Sequence, residues 1–285
     1  MFDEFRQWLN KKLFDKPTVI PVVRVSGAIG MAVPLRPGVS LASLAAPLKK
    51  AFSMKKAPAV AIVINSPGGS PVQSNLIYKR IRALAEENEK DVLVFVEDVA
   101  ASGGYMIALA GDEIVADPSS IVGSIGVVSQ GFGFVGLIDK LGIERRVYTA
   151  GTRKAILDAF APENEDDIEH LKSLQAEIHE TFIDMVKGRR GDILRDDEDL
   201  FSGLFWTGTQ ARDLGLVDQI GDIRSVLRER FGESVEMKLV SAEKRFPWSR
   251  GNGAGVFAGL KSEASLAEDM VAALETRALW QRYGL

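Results

Sequence analysis

The sequence predicts an α/β fold built from parallel strands joined through βαβ units, and three observations carry that prediction. Short runs of Val, Ile and Ala alternate with segments of helical period. The runs lack a polar face, as expected of strands covered on both sides by helices. Two of them also end in glycine-rich turns that lead directly into helical patterns.

Taken in order, "TVIPVVRV" (Thr18 to Val25), "AVAIVIN" (Ala59 to Asn65), "DVLVFVE" (Asp91 to Glu97) and "DEIVA" (Asp112 to Ala116) read as buried strands. Between them "SLASLAAPLKKAFS" (Ser40 to Ser53) and "VQSNLIYKRIRALAEE" (Val72 to Glu87) read as crossover helices, which makes the strands parallel. A long polar helix runs from Glu163 to Lys187, followed by the acidic, breaker-rich "GRRGDILRDDEDLFSG". A last strand-like segment, "SVEMKLV", precedes the glycine-rich "SRGNGAGVFAGL", the best candidate linker, and a helical pattern from Ser262 to about Arg282. The expected organisation is an N-terminal helix over 1–17, one α/β domain over 18–241, and a linker with a packing helix over 242–285. There is no internal repeat.

Composition bounds the function. With 285 residues, 46% hydrophobic, the chain can bury one large core. A net charge of −4 gives no footprint for nucleic acid. No cysteine is present, which excludes disulfides, thiol catalysis and Cys-ligated zinc. The start, "MFDEFRQWLNKKLFDKP", carries acids at once and lacks the continuous apolar core of a secretory signal, so a cytoplasmic location is expected. Phe2, Phe5, Trp8, Leu9 and Leu13 recur at helical spacing beside Lys11 and Lys12. They suit a helix packed on protein, or one lying on the inner-membrane surface as a peripheral contact. The charge-free run Pro118 to Ile138 is long enough to span a bilayer but is broken by glycines, serines and Gln130, so it reads as buried strand and loop.

The two glycine-rich turns lie where ligands of open α/β sheets bind, at the carboxyl ends of strands. In "NSPGGS" (Asn65 to Ser70), Gly68 and Gly69 let the backbone approach a ligand and aim N–H groups at a developing negative charge. A plain strand-to-helix turn would read the same way. No Gly-Lys-Ser/Thr follows, which argues against a phosphate loop. In "VEDVAASGGYMIALAG" (Val96 to Gly111), Ser102 sits at a helix start with the Gly103 N–H beside it. That is the place of a nucleophile for acyl transfer, and equally of an N-cap serine; Ala100 stands where the full nucleophile elbow has its first glycine.

A serine nucleophile needs a base. His170 and His179 both lie in the acid-rich helix, where a half-exposed structural role is simplest. A lysine serves if it is desolvated, because burial lowers an amine from about 10.4 towards neutrality. Lys154 in "YTAGTRKAILDAF" follows a strand-like segment and a glycine and is flanked by Ala155, Ile156 and Leu157, an apolar setting. Its neighbour Arg153 cannot deprotonate.

The ordered motifs "INSPGG", "AASGGYMIA", "ADPSSIVGSIGV", "YTAGTRKAILDAF" and "WTGTQARDLGLVDQIG" resemble the signal peptide peptidase A and SohB family of serine peptidases, over roughly Pro21 to Gly221. "TAGTRKAILDAFAPENEDD" is closest to the SohB branch. The resemblance implies a ClpP/crotonase-like fold with helical N- and C-terminal extensions, and a Ser-Lys dyad of Ser102 as nucleophile and Lys154 as general base. It further implies that Ser124 orients the lysine amine, and that Gly68 or Gly69 together with Gly103 forms the oxyanion hole. It also implies peptide or protein substrates, a homo-oligomer enclosing the sites, and no metal, nucleotide or organic cofactor. Family members usually carry a membrane anchor before this domain, and no such segment precedes it in this sequence. Leu204 replaces an expected polar residue, and the segment after Phe246 matches no part of the family.

Two rivals come from other classes. A crotonase-type acyl-CoA enzyme would use carboxylates, with Glu97 and Asp98 as its acid and base. A membrane-associated scaffold would carry the dyad idle.

Overall fold

Asp91–Ala101 (β3) is the strand on which the sheet is organised, and it does so by having two sets of neighbours. The computed structural model describes residues 17–31, 38–241, 274 and 276–285. The helices expected over 1–17 and from Ser262 fall wholly or largely outside these residues, as does the glycine-rich linker. In the first part of β3, Leu93 to Val96 pair in parallel with Glu113–Ala116 (β4). Further on, Val99 to Ala101 pair in parallel with Ile121–Gly123 (β5). Between the two, the register against Ala59–Ser66 (β2) shifts: Ile64 faces Val96, yet Ser66 faces Ala100. Glu97 and Asp98 form the resulting bulge, and the change of partner occurs there.

The remaining order follows from the same parallel pairing. Val19–Ser26 (β1) joins β2 on one side and Glu236–Leu239 (β8) on the other. Phe205–Thr207 (β6) closes the far edge antiparallel to β5, and Gln219–Ile220 (β7) extends β4. Alternation puts Val60, Ile62, Ile64, Val92, Val94 and Val96 on one face with the main core. It puts Ala59, Ala61, Val63, Leu93 and Phe95 on the other, under Ile223–Phe231 (the helix α7). Burying each such Val, Ile or Leu contributes about 1.5 to 3 kcal/mol. The runs carry no polar face because both sides of the sheet are covered.

On the main-core face lie Leu41–Phe52 (α1), Pro71–Asn88 (α2) and the short Gly103–Ala108 (α3). Val135–Lys140 (α4) has no buried residue; Glu165–Arg190 (α5) and Gly208–Asp213 (α6) follow. The end of α5 clamps α3. Arg189 donates to the carbonyls of Leu109 (2.9 Å) and Gly111 (2.7 Å). The buried Arg190 pairs with Asp218 at 2.8 Å and donates to the Gly215 carbonyl. Tyr105, fully buried in α3, donates to the Leu216 carbonyl at 2.7 Å, and burial pushes its phenol up.

The run Pro118 to Ile138 divides in two. Ile121 to Gly123 are strand and Val122 to Ile125 are buried, as expected, whereas Val128, Phe132, Phe134 and Leu137 are exposed, Phe132 at 81%. From Val127 to Glu163 the chain forms an arm with few buried groups, held by Phe134 against Phe160 and by the Arg145–Asp158 pair. Among the described residues no helix is long and apolar enough to cross a membrane.

Candidate active site

Ser102 joins the end of β3 to the start of α3, and the turn forces it to φ 51° and ψ −121°. A side chain in that region costs of order 1 to 3 kcal/mol, so the surroundings must hold it there. Two hydrogen bonds do so: the Ser102 N–H donates to the Gly123 carbonyl at 2.8 Å, and its own carbonyl accepts from Met106 N–H at 3.0 Å. The hydroxyl makes no capping hydrogen bond to the helix, which removes the N-cap explanation for this serine. It is half-buried.

The second turn presses on the first. A methyl group on Gly68 would lie 2.8 Å from Ser102 Cβ and 3.0 Å from the Gly103 nitrogen. Ser66 organises this turn: its hydroxyl donates to the Gly27 carbonyl at 2.7 Å and accepts from Gly68 N–H at 3.2 Å. The Gly68 N–H is thereby engaged, so Gly69 is the better donor of the two. Gly69 sits at φ 137°, where an added Cβ would lie 2.2 Å from the Ile29 carbonyl oxygen. Gly103 is the first residue of α3, and its N–H has no acceptor within that helix. Ser66 has no signal in the sequence beyond its place in "NSPGG".

Ser124 lies directly after the carbonyl that holds Ser102. It is buried, has φ 53°, and its N–H donates to the Leu204 carbonyl at 2.7 Å. Leu204 therefore meets this site through its backbone, and its side chain is half exposed. The Ser124 hydroxyl accepts from the Tyr283 phenol at 3.2 Å. The sequence gives no hint of that contact.

Ser102, Ser124, Gly68, Gly69 and Gly103 thus come together, and Lys154 does not join them within this chain. The expected apolar setting for its amine is absent: Lys154 and both immediate neighbours are exposed on the arm. Arg153 is bound to Asp167, in the first turn of α5, at 2.8 Å. Farther along that helix, His179 Nε2 lies 3.0 Å from the Ile125 carbonyl, next to Ser124. The helix rises about 18 Å between Asp167 and His179, which separates the anchor of Lys154 from the level of the serines. His179 is half-buried and His170 is exposed, as expected of structural helix positions.

The carboxylates of the acyl-CoA rival are engaged elsewhere. Glu97 pairs with Arg24 and Asp98 accepts from Asn65 Nδ2 at 2.6 Å.

The chain is similar to several known proteins. A Brucella abortus protein named "Na(+)/H(+) antiporter NhaA" is 60% identical over 273 residues, covering 94% of this chain and 37% of that protein. The chain therefore spans little more than a third of that relative's length. The chloroplastic "Serine protease SPPA" of Arabidopsis thaliana is 32% identical, over 72% of this chain and 31% of its own length. "Probable protease SohB" of Buchnera aphidicola is 33% identical, over 63% of this chain and 53% of its own length. Residues 85–234, which include Ser102, Ser124 and Lys154, match the description "Peptidase family S49". With more than half of its length matched across the very turn that strains Ser102, the chain belongs to peptidase family S49.

Proposed function

We propose that the chain is a serine endopeptidase in which Ser102 attacks a peptide carbonyl and Lys154 is the general base. The observation that carries this reading is the uncapped Ser102 hydroxyl held in a strained turn against Gly68, Gly69 and Gly103. Strain of this kind is retained where geometry has work to do.

In the reaction the Lys154 amine takes the Ser102 proton as Oγ adds to the carbonyl carbon, and the N–H groups of Gly69 and Gly103 receive the oxyanion. Lys154 then hands its proton to the leaving amine, and water hydrolyses the acyl-serine by the reverse proton route. Ser124 accepts from or donates to the lysine amine and fixes its direction. Substrates are peptides or protein fragments, hydrophobic signal-like segments among them.

The exposed arm implies that copies of the chain assemble. Val128, Phe132, Leu141 and Tyr148 are apolar and open to solvent, Tyr148 at 90%. A neighbouring copy that covers them also removes water from the lysine they carry, which an amine requires to act as a base. With Arg153 bound to Asp167, the arm delivers Lys154 to the Ser102 of a neighbour. The transport activity in the name of the Brucella relative is not extended to this chain, which spans 37% of that protein.

The test is hydrolysis of a mixed pool of unstructured and signal-like peptides, with products read by mass spectrometry. Cleavage by wild type that disappears in both Ser102→Ala and Lys154→Ala, with the assembly intact, supports the dyad. Equal cleavage by wild type and Lys154→Ala removes Lys154 from it.

A further inference from the structure

On the face of the sheet under α7, a cavity of about 400 Å³ opens between the start of that helix and β8. Its apolar lining comes from Val22, Val63, Phe95 and Ile223, with Met237 and Leu239 on the β8 side. Its charged lining is Glu97, Asp117, Asp222 and Arg24, three carboxylates to one guanidinium. On β1 the lining passes from Val22 to Arg24, and on β3 from Phe95 to Glu97. One strand repeat of two residues, about 6.6 Å, therefore separates apolar surface from charge.

β8 ends the sheet, with β1 as its one partner among the described residues. Glu236 and Val240 donate their N–H groups to the Thr18 and Val22 carbonyls, at 2.9 and 2.8 Å. In a parallel ladder alternate residues turn their backbone groups to the partner, so Met237 and Leu239 turn theirs outward. These are the same two residues whose side chains line the cavity, and Leu239 is 65% exposed. An unpaired edge of this kind is a template for one more strand. A strand added there would satisfy the outward groups of Met237 and Leu239, and every second side chain on it would face the cavity.

The lining specifies that strand. An apolar side chain matches Val22, Val63 and Phe95, and a cation one repeat away matches the excess of carboxylates; an acid at that position would meet three groups of its own sign. We propose that the β8 edge is a docking site for an extended segment of a partner protein, which pairs with β8 and presents an apolar side chain and, two residues from it, a lysine or arginine. The site is on the sheet face opposite the main core and stands independently of the chemistry at Ser102.

The test is fluorescence anisotropy of a labelled peptide, TKTFTKT, titrated with the full chain. Its phenylalanine has a lysine two residues away on either side, so both strand directions present the required pair. Binding should saturate and should weaken as salt is raised. The peptide TETFTET should not bind. Asp117→Asn keeps the acceptor for the Ser119 N–H and should weaken binding about two- to fivefold. Leu239→Pro removes an N–H that faces away from β1 and should weaken it about two- to tenfold, with the urea midpoint near that of wild type. Should that variant unfold, Asp117→Asn and the acidic peptide decide. Absence of binding, equal binding of the two peptides, or affinity unchanged in both variants overturns the proposal. Binding gained only in a Phe246→Ser, Trp248→Ser chain would give the edge to the residues that follow Ser241. A dimer seen by light scattering and lost in Leu239→Pro, with no peptide bound, would give it to a second copy. Either result overturns the proposal too.

Discussion

The amide of Ser102 donates to the carbonyl of Gly123 at 2.8 Å, and the next residue after that carbonyl is Ser124. One peptide unit thus fixes the separation of the two serines. It also holds Ser102 at a positive φ that a side chain resists. Replacing Ser102 with glycine relieves that resistance. Allowing for the greater freedom of glycine in the unfolded chain, Ser102→Gly should be more stable by about 1 kcal/mol. Thermal denaturation should show a Tm about 2 to 4 °C higher, with hydrolysis lost. A lower Tm would mean that the turn is unstrained.

Gly123 carries the same link from the other side. At φ 109°, an added Cβ would lie 2.7 Å from the Trp206 ring. Gly123→Ala should therefore cost about 1 to 3 kcal/mol. It should also slow fluorophosphonate labelling of Ser102 more than a change of equal cost in α7 would. Denaturant unfolding and labelling rates, measured on both variants, check the comparison.

Delivery of Lys154 to a neighbour's serine predicts complementation. Ser102→Ala and Lys154→Ala should each be inactive alone. Mixed under conditions that exchange subunits, they should regain a fraction of wild-type hydrolysis, because a hybrid site combines an intact serine with an intact lysine. Failure to regain activity despite proven exchange would place both groups of the dyad in one copy. Phe132→Glu should dissociate the assembly, read by light scattering, and abolish hydrolysis with it.

Asp222 caps α7. The Ser225 hydroxyl first, and then the Ser225 and Arg224 amides, hold its carboxyl below the usual range. A depressed carboxyl stabilises the fold above its unfolded value, near pH 3.9, and loses that contribution as pH falls through the folded one. Asp222→Ala should cost about 1 kcal/mol at pH 7. The gap in Tm between wild type and variant should close as the pH is lowered below 4.

Arg190 is expected to matter more for stability than any surface pair. Its guanidinium satisfies Asp218 and the Gly215 carbonyl, which flank the acceptor of Tyr105. Arg190→Met leaves the Gly215 carbonyl without its donor and the Asp218 carboxylate with only the Ile114 N–H and no counter-charge, and should cost about 3 kcal/mol or more, measured by urea unfolding. Arg212→Met, whose side chain pairs with Asp213 on the surface, should cost under 1 kcal/mol.

Four of the strands legible from sequence, β1 to β4, are largely buried between helices, and burial of that kind writes a continuous apolar run; the fifth, β8, was legible from its β-like residues although all four of them are exposed. Gln219–Ile220 and Phe205–Thr207 are too short to show a period, and they exist through pairing with distant partners. Ser102 and the glycine turns stood out because strand, small residues and helix adjoin in sequence. The Tyr283–Ser124 contact joins residues far apart in the chain, and no local pattern announces it. The environment of Lys154 was misjudged for a related reason: its apolar neighbours describe a surface that seeks cover, which the single chain does not provide.

The bulge at Glu97 and Asp98 works as a joint. Deleting both residues preserves the inside–outside alternation of β3, so every core side chain after it keeps its face. The flanking pairs are already in place, Val96 against Ile64 and Ala100 against Ser66, so Ser102 would stay beside the glycines it adjoins. The deletion would instead remove the slack with which one strand leaves β4 and takes up β5, and with it the two carboxylates that reach Arg24 and Asn65.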